Sequence, residues 1–142
     1  MAETNARRKA TAMPGELVLG ADTIVAVDGA ILGKPRDEAQ AREFLRRLAG
    51  REHRVVGAIA LAVEGEVVQA AVEITRVRFR DLDHPTLDWY VRSREWEGRA
   101  GGYAIQGRGA ALIAGIRGDY LNVVGLPLAR LLELRPELLP LT

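Results

Sequence analysis

Gly20-Ala21-Asp22-Thr23-Ile24-Val25 is followed, past an Asp28-Gly29 dipeptide, by Gly33-Lys34-Pro35-Arg36-Asp37. Leu17-Val18-Leu19 and Thr23 to Val27 have the composition of short buried strands, and Asp28-Gly29 is a tight-turn pair that returns the chain through Ala30-Ile31-Leu32. This reading puts Asp22 and Lys34 at the ends of short strands. A carboxylate and an ammonium so placed form a rim suited to phosphate chemistry.

Downstream, Asp37 is placed to cap a helix and Gln40 completes a capping-box spacing. Ala41, Phe44, Leu45 and Leu48 then recur at helical intervals until Gly50. Arg54 to Val63 and Val67 to Phe79, joined by Glu64-Gly65-Glu66, read as a long hairpin. Asp83-His84-Pro85 opens a second helix with Leu87, Tyr90 and Val91 on one face, ending before Gly98. Tyr103 to Gln106 and Ala110 to Ile116 are expected as strands around Gly107-Arg108-Gly109. A last helix starts near Pro127, with Leu128, Leu131 and Leu132 as its stripe, and stops at Pro136. This order predicts a mixed α/β or α+β domain spanning 1–142, with no second domain.

Composition narrows the chemistry. The chain has 142 residues, 48% of them apolar, which is enough for a continuous core, and 20 basic against 19 acidic residues leave a net charge of +1. No global field favours polymeric nucleic acid or an anionic membrane, so any anion site is local. The absence of cysteine removes disulfides, zinc thiolates and a cysteine nucleophile. Ser93 is the only serine and lacks a G-x-S-x-G elbow, which argues against a serine triad. With no signal-type apolar segment behind the polar N-terminus and no apolar run of membrane-spanning length, the expectation is a soluble cytoplasmic protein.

Among candidate residues, Asp22 between two apolar strands is costly to bury unless paired, metal-bound or protonated; a turn or cap aspartate is the alternative. Lys34, between Gly33 and Pro35 beside a helix N-terminus, is placed to contact a phosphate or simply to face solvent. Arg99, Gln106 and Arg108 project from a glycine-rich segment that lets a ligand approach the backbone. Gln106 offers the donor and acceptor groups that read a base edge. Leu112 stands where a dinucleotide fingerprint needs its third glycine. His53 and His84 form no metal spacing and are expected at the surface; Trp89, Tyr90 and Trp96 are assigned to packing.

Three segments together, the Ala21-Asp22-Thr23 stretch with Lys34-Pro35-Arg36, Gly98 to Gly107, and Gly118-Asp119-Tyr120-Leu121-Asn122-Val123-Val124-Gly125-Leu126-Pro127-Leu128, resemble the Maf family of nucleoside triphosphate pyrophosphatases. The resemblance runs from about Ala6 to the C-terminal helix. It implies an α/β fold, a mixed sheet flanked by helices related to the inosine-triphosphate pyrophosphatases. It also implies a homodimer and hydrolysis of a nucleoside triphosphate to monophosphate and pyrophosphate with Mg²⁺ or Mn²⁺.

Carried over by position, Asp22 resembles the catalytic aspartate that accepts a proton from the attacking water and serves the cation. Lys34 and Lys9 resemble substrate-site lysines, Arg99 stands where lysine is common, and Thr23 and Gln106 match positions associated with base selection. The Ala-Asp-Thr and Ile-Gln-Gly forms resemble the subgroup acting on dTTP and UTP. Gly57 stands where the family often has threonine. The family's opening strand and Ser-x-Ser-Pro-Arg-Arg loop have no counterpart in this sequence. That difference implies a shortened chain of low or absent turnover, or alternatively a non-catalytic nucleotide-binding or dimerisation module.

Overall fold

A computed structural model describes residues 1–12 and 15–139. Helix α1 (Ala2–Thr11) precedes strands β1 (Val18–Val27) and β2 (Ala30–Leu32), helix α2 (Glu38–Leu48) and strands β3 (Glu52–Val63) and β4 (Glu66–Phe79). Helix α3 (His84–Arg92), strand β5 (Ile113–Arg117) and helices α4 (Tyr120–Val124) and α5 (Leu128–Leu134) follow. The expected α/β class holds: helices flank one antiparallel five-stranded sheet of order β2-β1-β3-β4-β5. Among the described residues no helix is long and apolar enough to cross a membrane.

Local chemistry explains most boundaries. Asp28 and Gly29 adopt φ of 48° and 77°, and Glu64 and Gly65 adopt 50° and 81°, so both hairpins close through left-handed pairs that match strand twist. The first brings Val25 opposite Leu32 and Val27 opposite Ala30. At the start of α2, Asp37 Oδ1 accepts the Gln40 N–H at 2.8 Å, and Gln40 Oε1 accepts the Arg36 N–H at 2.8 Å, one residue upstream of the usual reciprocal partner. Asp83 caps α3 by accepting the Thr86 N–H at 2.8 Å, and the Thr86 hydrogen bonds hold its carboxyl below the ordinary range.

The chain divides into two compact units whose boundaries fall within β1, β3 and β4 and just after β5. One comprises Met1–Thr23, Val56–Ile74 and Asp119–Thr142; the other comprises Ile24–Val55 and Thr75–Gly118. In the first, Ile59, Leu61 and Leu131 form a buried cluster against which Ala21, Ala71, Leu126 and Leu134 pack. Gly57 lies in the same unit, where a Cβ would sit 1.8 Å from Asn122 Oδ1, leaving no room for a threonine in this arrangement. In the second, Ala41, Leu45 and Leu48 of α2 are fully buried, and Arg42 pairs with Asp88 of α3 at 2.6 Å.

Several sequence expectations are corrected. Leu17-Val18-Leu19 and Thr23 to Val27 belong largely to one continuous strand, β1, which runs through Gly20. Tyr103 to Gln106 is not a strand. Gly101, Gly102 and Gly107 take φ of 73°, 82° and 81°, and the chain passes through short 3-10 turns at Ala100–Gly102 and Gly107–Leu112 before β5. Trp89 is 45% exposed, because the buried face of α3 is set by Leu87, Tyr90 and Val91.

His53 is buried, not superficial, because strand alternation carries it inward between exposed Glu52 and Arg54. Its ring meets Phe79 and Tyr103 edge-on, with centroids 5.2 and 5.4 Å away, and Nε2 lies 2.6 Å from the Tyr103 hydroxyl. Nδ1 has no partner among the described residues. Burial pushes the His53 pKa down to about 4, partly opposed by Glu52.

The folded state therefore holds His53 neutral while the unfolded chain protonates it near 6.5. The stability it contributes is complete above pH 6.5 and is lost as pH falls toward 4. The expected loss is up to about 3 kcal/mol over that window. Melting temperature measured against pH checks this: His53→Gln, which does not titrate there, has a flatter profile between pH 6.5 and 4 than the wild type.

Candidate active site

The first group of candidate residues is carried by α1 and β1 within the first unit. The sequence of α1 has no large apolar stripe; its buried face is Ala2, Ala6 and Ala10, spaced four residues apart. Such a helix approaches a strand closely only where the strand also lacks a side chain. Gly20 supplies that place, since a Cβ there would lie 2.1 Å from the Ala6 carbonyl oxygen and 2.4 Å from the Ala10 nitrogen.

The close approach determines what α1 presents to Asp22. Asn5 and Lys9, one helical turn apart, both reach its carboxylate: Lys9 Nζ donates to Oδ1 at 3.2 Å and Asn5 Nδ2 donates to Oδ2 at 3.0 Å. Lys9 also donates to the Ala21 carbonyl at 3.0 Å, and Arg8 donates to Asn5 Oδ1 at 2.7 Å, which fixes the Asn5 amide with its nitrogen toward Asp22. The Asp22 side chain is 18% exposed and that of Lys9 58%. A pair with one member in solvent adds little stability, so its consequence is the orientation of the carboxylate.

Each Asp22 oxygen accepts one side-chain hydrogen bond, which leaves acceptor positions for a water. Lys9 has used two of its three donors and keeps one for an anion. Thr23 is the next residue of the continuous strand and so projects to the opposite face of β1 from Asp22.

The second unit carries Lys34, Arg99 and Gln106, all exposed. The Gly101 N–H donates to the Gly33 carbonyl at 3.0 Å, so the segment after Arg99 is bonded backbone to backbone with the segment that precedes Lys34. Gly101 needs its left-handed φ and its bare Cα here, since a Cβ would meet Val25 side-chain atoms from 3.0 Å. The side chains of Lys34, Arg99 and Gln106 have no hydrogen-bond or ion-pair partner among the described residues. They are two cations and an amide free to engage a ligand.

Among the described residues no three His, Asp or Glu side chains come together to hold a metal. Asp22 is the one carboxylate in the cluster with Lys9 and Asn5. Mg²⁺ is commonly bound through one or two carboxylates, with water and substrate phosphates completing its shell, so this donor set fits a cation that arrives on a polyphosphate.

Asn5 is the contact that the sequence did not disclose. Its only signal is the four-residue spacing to Lys9, which becomes informative once α1 is known to be a helix.

Within the first unit Asp22, midway along β1 rather than at a strand end, is gripped by a lysine and an amide. Within the second, Lys34 and Arg99 are exposed cations next to glycines, and each group has the chemistry of a protein that handles phosphate-bearing ligands. The chain belongs to the Maf family, whose "Maf-like protein" description matches residues 1–137. It is 52% identical over 138 residues to a dTTP/UTP pyrophosphatase of Symbiobacterium thermophilum, covering 94% of this chain and 71% of that protein. It is 48% identical over 134 residues to one of Thermus thermophilus, covering 94% and 71%, and 42% identical over 134 residues to one of Pyrococcus furiosus, covering 94% and 70%.

Proposed function

We propose that this chain hydrolyses dTTP and UTP to the nucleoside monophosphate and pyrophosphate. The observation that carries the reading is Asp22, held on both oxygens by Lys9 and Asn5 and mostly shielded from solvent. Relatives at 42–52% identity bearing the name dTTP/UTP pyrophosphatase support the substrate class.

In this reading Asp22 accepts a proton from a water as the water oxygen bonds to phosphorus. The phosphorus–oxygen bond to the departing pyrophosphate breaks, and the electron pair leaves with the pyrophosphate. Lys9, Lys34 and Arg99 offset charge on the phosphates and on that leaving group, where a desolvated cation stabilises developing charge most. Gln106 selects the base, and Thr23, on the face of β1 opposite Asp22, is left without a part in that selection. A divalent cation, Mg²⁺ or Mn²⁺, with Asp22 as its protein ligand, would supply further charge neutralisation on the triphosphate. No side chain is required as a nucleophile. The same reading takes residues 1–142 as one Maf-like domain acting in the cytoplasm as a homodimer.

The test is product analysis with dTTP, UTP, GTP and ATP in Mg²⁺ or Mn²⁺. Monophosphate and pyrophosphate in equal amounts, fastest from dTTP or UTP, are expected; binding without release would leave a nucleotide-binding module instead. Lys34→Ala is expected to lower kcat/KM for dTTP by about 10–100-fold through loss of one charge-assisted phosphate contact. Steady-state kinetics check it, and an unchanged kcat/KM would remove Lys34 from the site.

A further inference from the structure

The segment that carries Gln106 is held by polar groups on both sides, all within the second unit. On the N-terminal side the Tyr103 hydroxyl lies 2.6 Å from His53 Nε2, and the Ala104 N–H donates to the Tyr90 hydroxyl at 3.0 Å. The Tyr90 hydroxyl in turn donates to Glu95 Oε1 at 3.3 Å. On the C-terminal side the same carboxylate accepts the Arg108 N–H on Oε2 at 2.9 Å and the Gly109 N–H on Oε1 at 3.1 Å. Glu95 thus ties Ala104, through Tyr90, to Arg108 and Gly109.

Ile105 is buried between these anchors, while Gln106 stands exposed with no partner of its own. Gly107 turns the chain at φ 81°, and a Cβ there would lie 2.9 Å from Glu95 Oε2. The loop therefore closes onto the carboxylate directly.

We propose that Glu95, acting with Tyr90, is the positioning residue that presents Gln106 to the nucleobase and so sets which base the enzyme accepts. The proposal rests on the nucleotide reading of Gln106 above. Glu95 is not a catalytic residue, because its oxygens are already taken by two backbone N–H groups and a tyrosine hydroxyl.

An amide reads a base edge only when its own backbone is fixed, since each ligand contact must otherwise first order the loop that offers it. Here the backbone is fixed on either side within three residues of Gln106. A carboxylate suits the task because it offers only acceptors to the Arg108 and Gly109 N–H groups. Glutamine, nearly the same size, would turn an NH₂ toward one of them.

The test measures kcat and KM for dTTP, UTP and GTP, with melting temperature, in the wild type, Glu95→Gln, Tyr90→Phe, Gln106→Ala and the Glu95→Gln/Gln106→Ala double variant. Glu95→Gln is expected to lower kcat/KM for dTTP about 10-fold or more, mainly through KM, and to narrow the dTTP-to-GTP preference by a similar factor. Tyr90→Phe moves both in the same direction by less. The double variant is expected to be no worse than Gln106→Ala alone, because residues that act through one another do not add.

A Glu95→Gln variant that melts lower but keeps the wild-type preference, or effects that multiply in the double variant, would overturn the proposal and leave Glu95 a fold-holding residue. A wild type that releases pyrophosphate from no nucleotide would overturn the functional reading together with the proposal. That case is distinguished because the wild type itself is then silent.

Discussion

Asp22→Asn is expected to lower pyrophosphate release from dTTP by about 10²–10⁴-fold, the range that a positioned general base contributes. The substitution keeps the volume of the side chain and removes its ability to take a proton. It also exchanges one acceptor for a donor. Lys9 and Asn5 each donate to a different Asp22 oxygen, and Arg8 fixes the Asn5 amide, so an asparagine at 22 turns its NH₂ toward a donor on one side or the other. Loss of one such hydrogen bond costs about 1 kcal/mol, which leaves the chain folded. Rate and melting temperature measured on the same preparation separate the two effects. A folded variant with a rate within a few-fold of wild type would remove Asp22 from the chemistry.

Gly20→Ala is the second large effect, and it strikes the scaffold of the site. The new methyl would fall 2.1 Å from the Ala6 carbonyl oxygen and 2.4 Å from the Ala10 nitrogen, both of them backbone atoms of α1. A flexible side chain can swing aside; a helix backbone must move as a body. Moving α1 withdraws Ala2, Ala6 and Ala10 from their burial and takes Asn5 and Lys9 away from Asp22.

Overpacking of this kind typically costs about 1–3 kcal/mol, and occasionally more. That is a large part of a total stability of about 5–15 kcal/mol. The expected result is a melting temperature several degrees lower together with a fall in turnover. Gly115→Ala in β5 is the control, since a Cβ there meets nothing within 4 Å and the backbone takes no left-handed φ. A Gly20→Ala variant as stable and active as the wild type would mean that α1 does not pack on Gly20 as described.

The same packing explains what the sequence disclosed and what it did not. Asp28-Gly29, Asp37 with Gln40, and Asp83 with Pro85 act within a few residues of themselves, so their turns and caps were legible from composition and spacing. Helix α1 was not, because it packs through alanines, which give no hydrophobic periodicity strong enough to mark a face. Gly20 looked like a break between two strands for the same reason: its missing side chain serves a helix more than eight residues upstream, and the strand runs through it.

His53 was hidden by its charged neighbours Glu52 and Arg54, although alternation in an extended strand puts it on the inner face with Val55. Among the candidate site residues, Asp22, Lys9, Lys34, Arg99 and Gln106 are proposed from motifs and resemblance. Asn5 and Glu95 are not, because Asn5 acts on Asp22, 17 residues away, and Glu95 on Arg108 and Gly109, 13 and 14 residues away, and no local pattern announces such partners.

Single turnover in H₂¹⁸O, with enzyme in excess over dTTP, tests the claim that Asp22 activates a water for direct attack. Direct attack puts the heavy oxygen into one of the two products on the first turnover and leaves Asp22 unlabelled. Unlabelled products with heavy oxygen in the Asp22 carboxylate would contradict the account, because they would make Asp22 a nucleophile that water later releases.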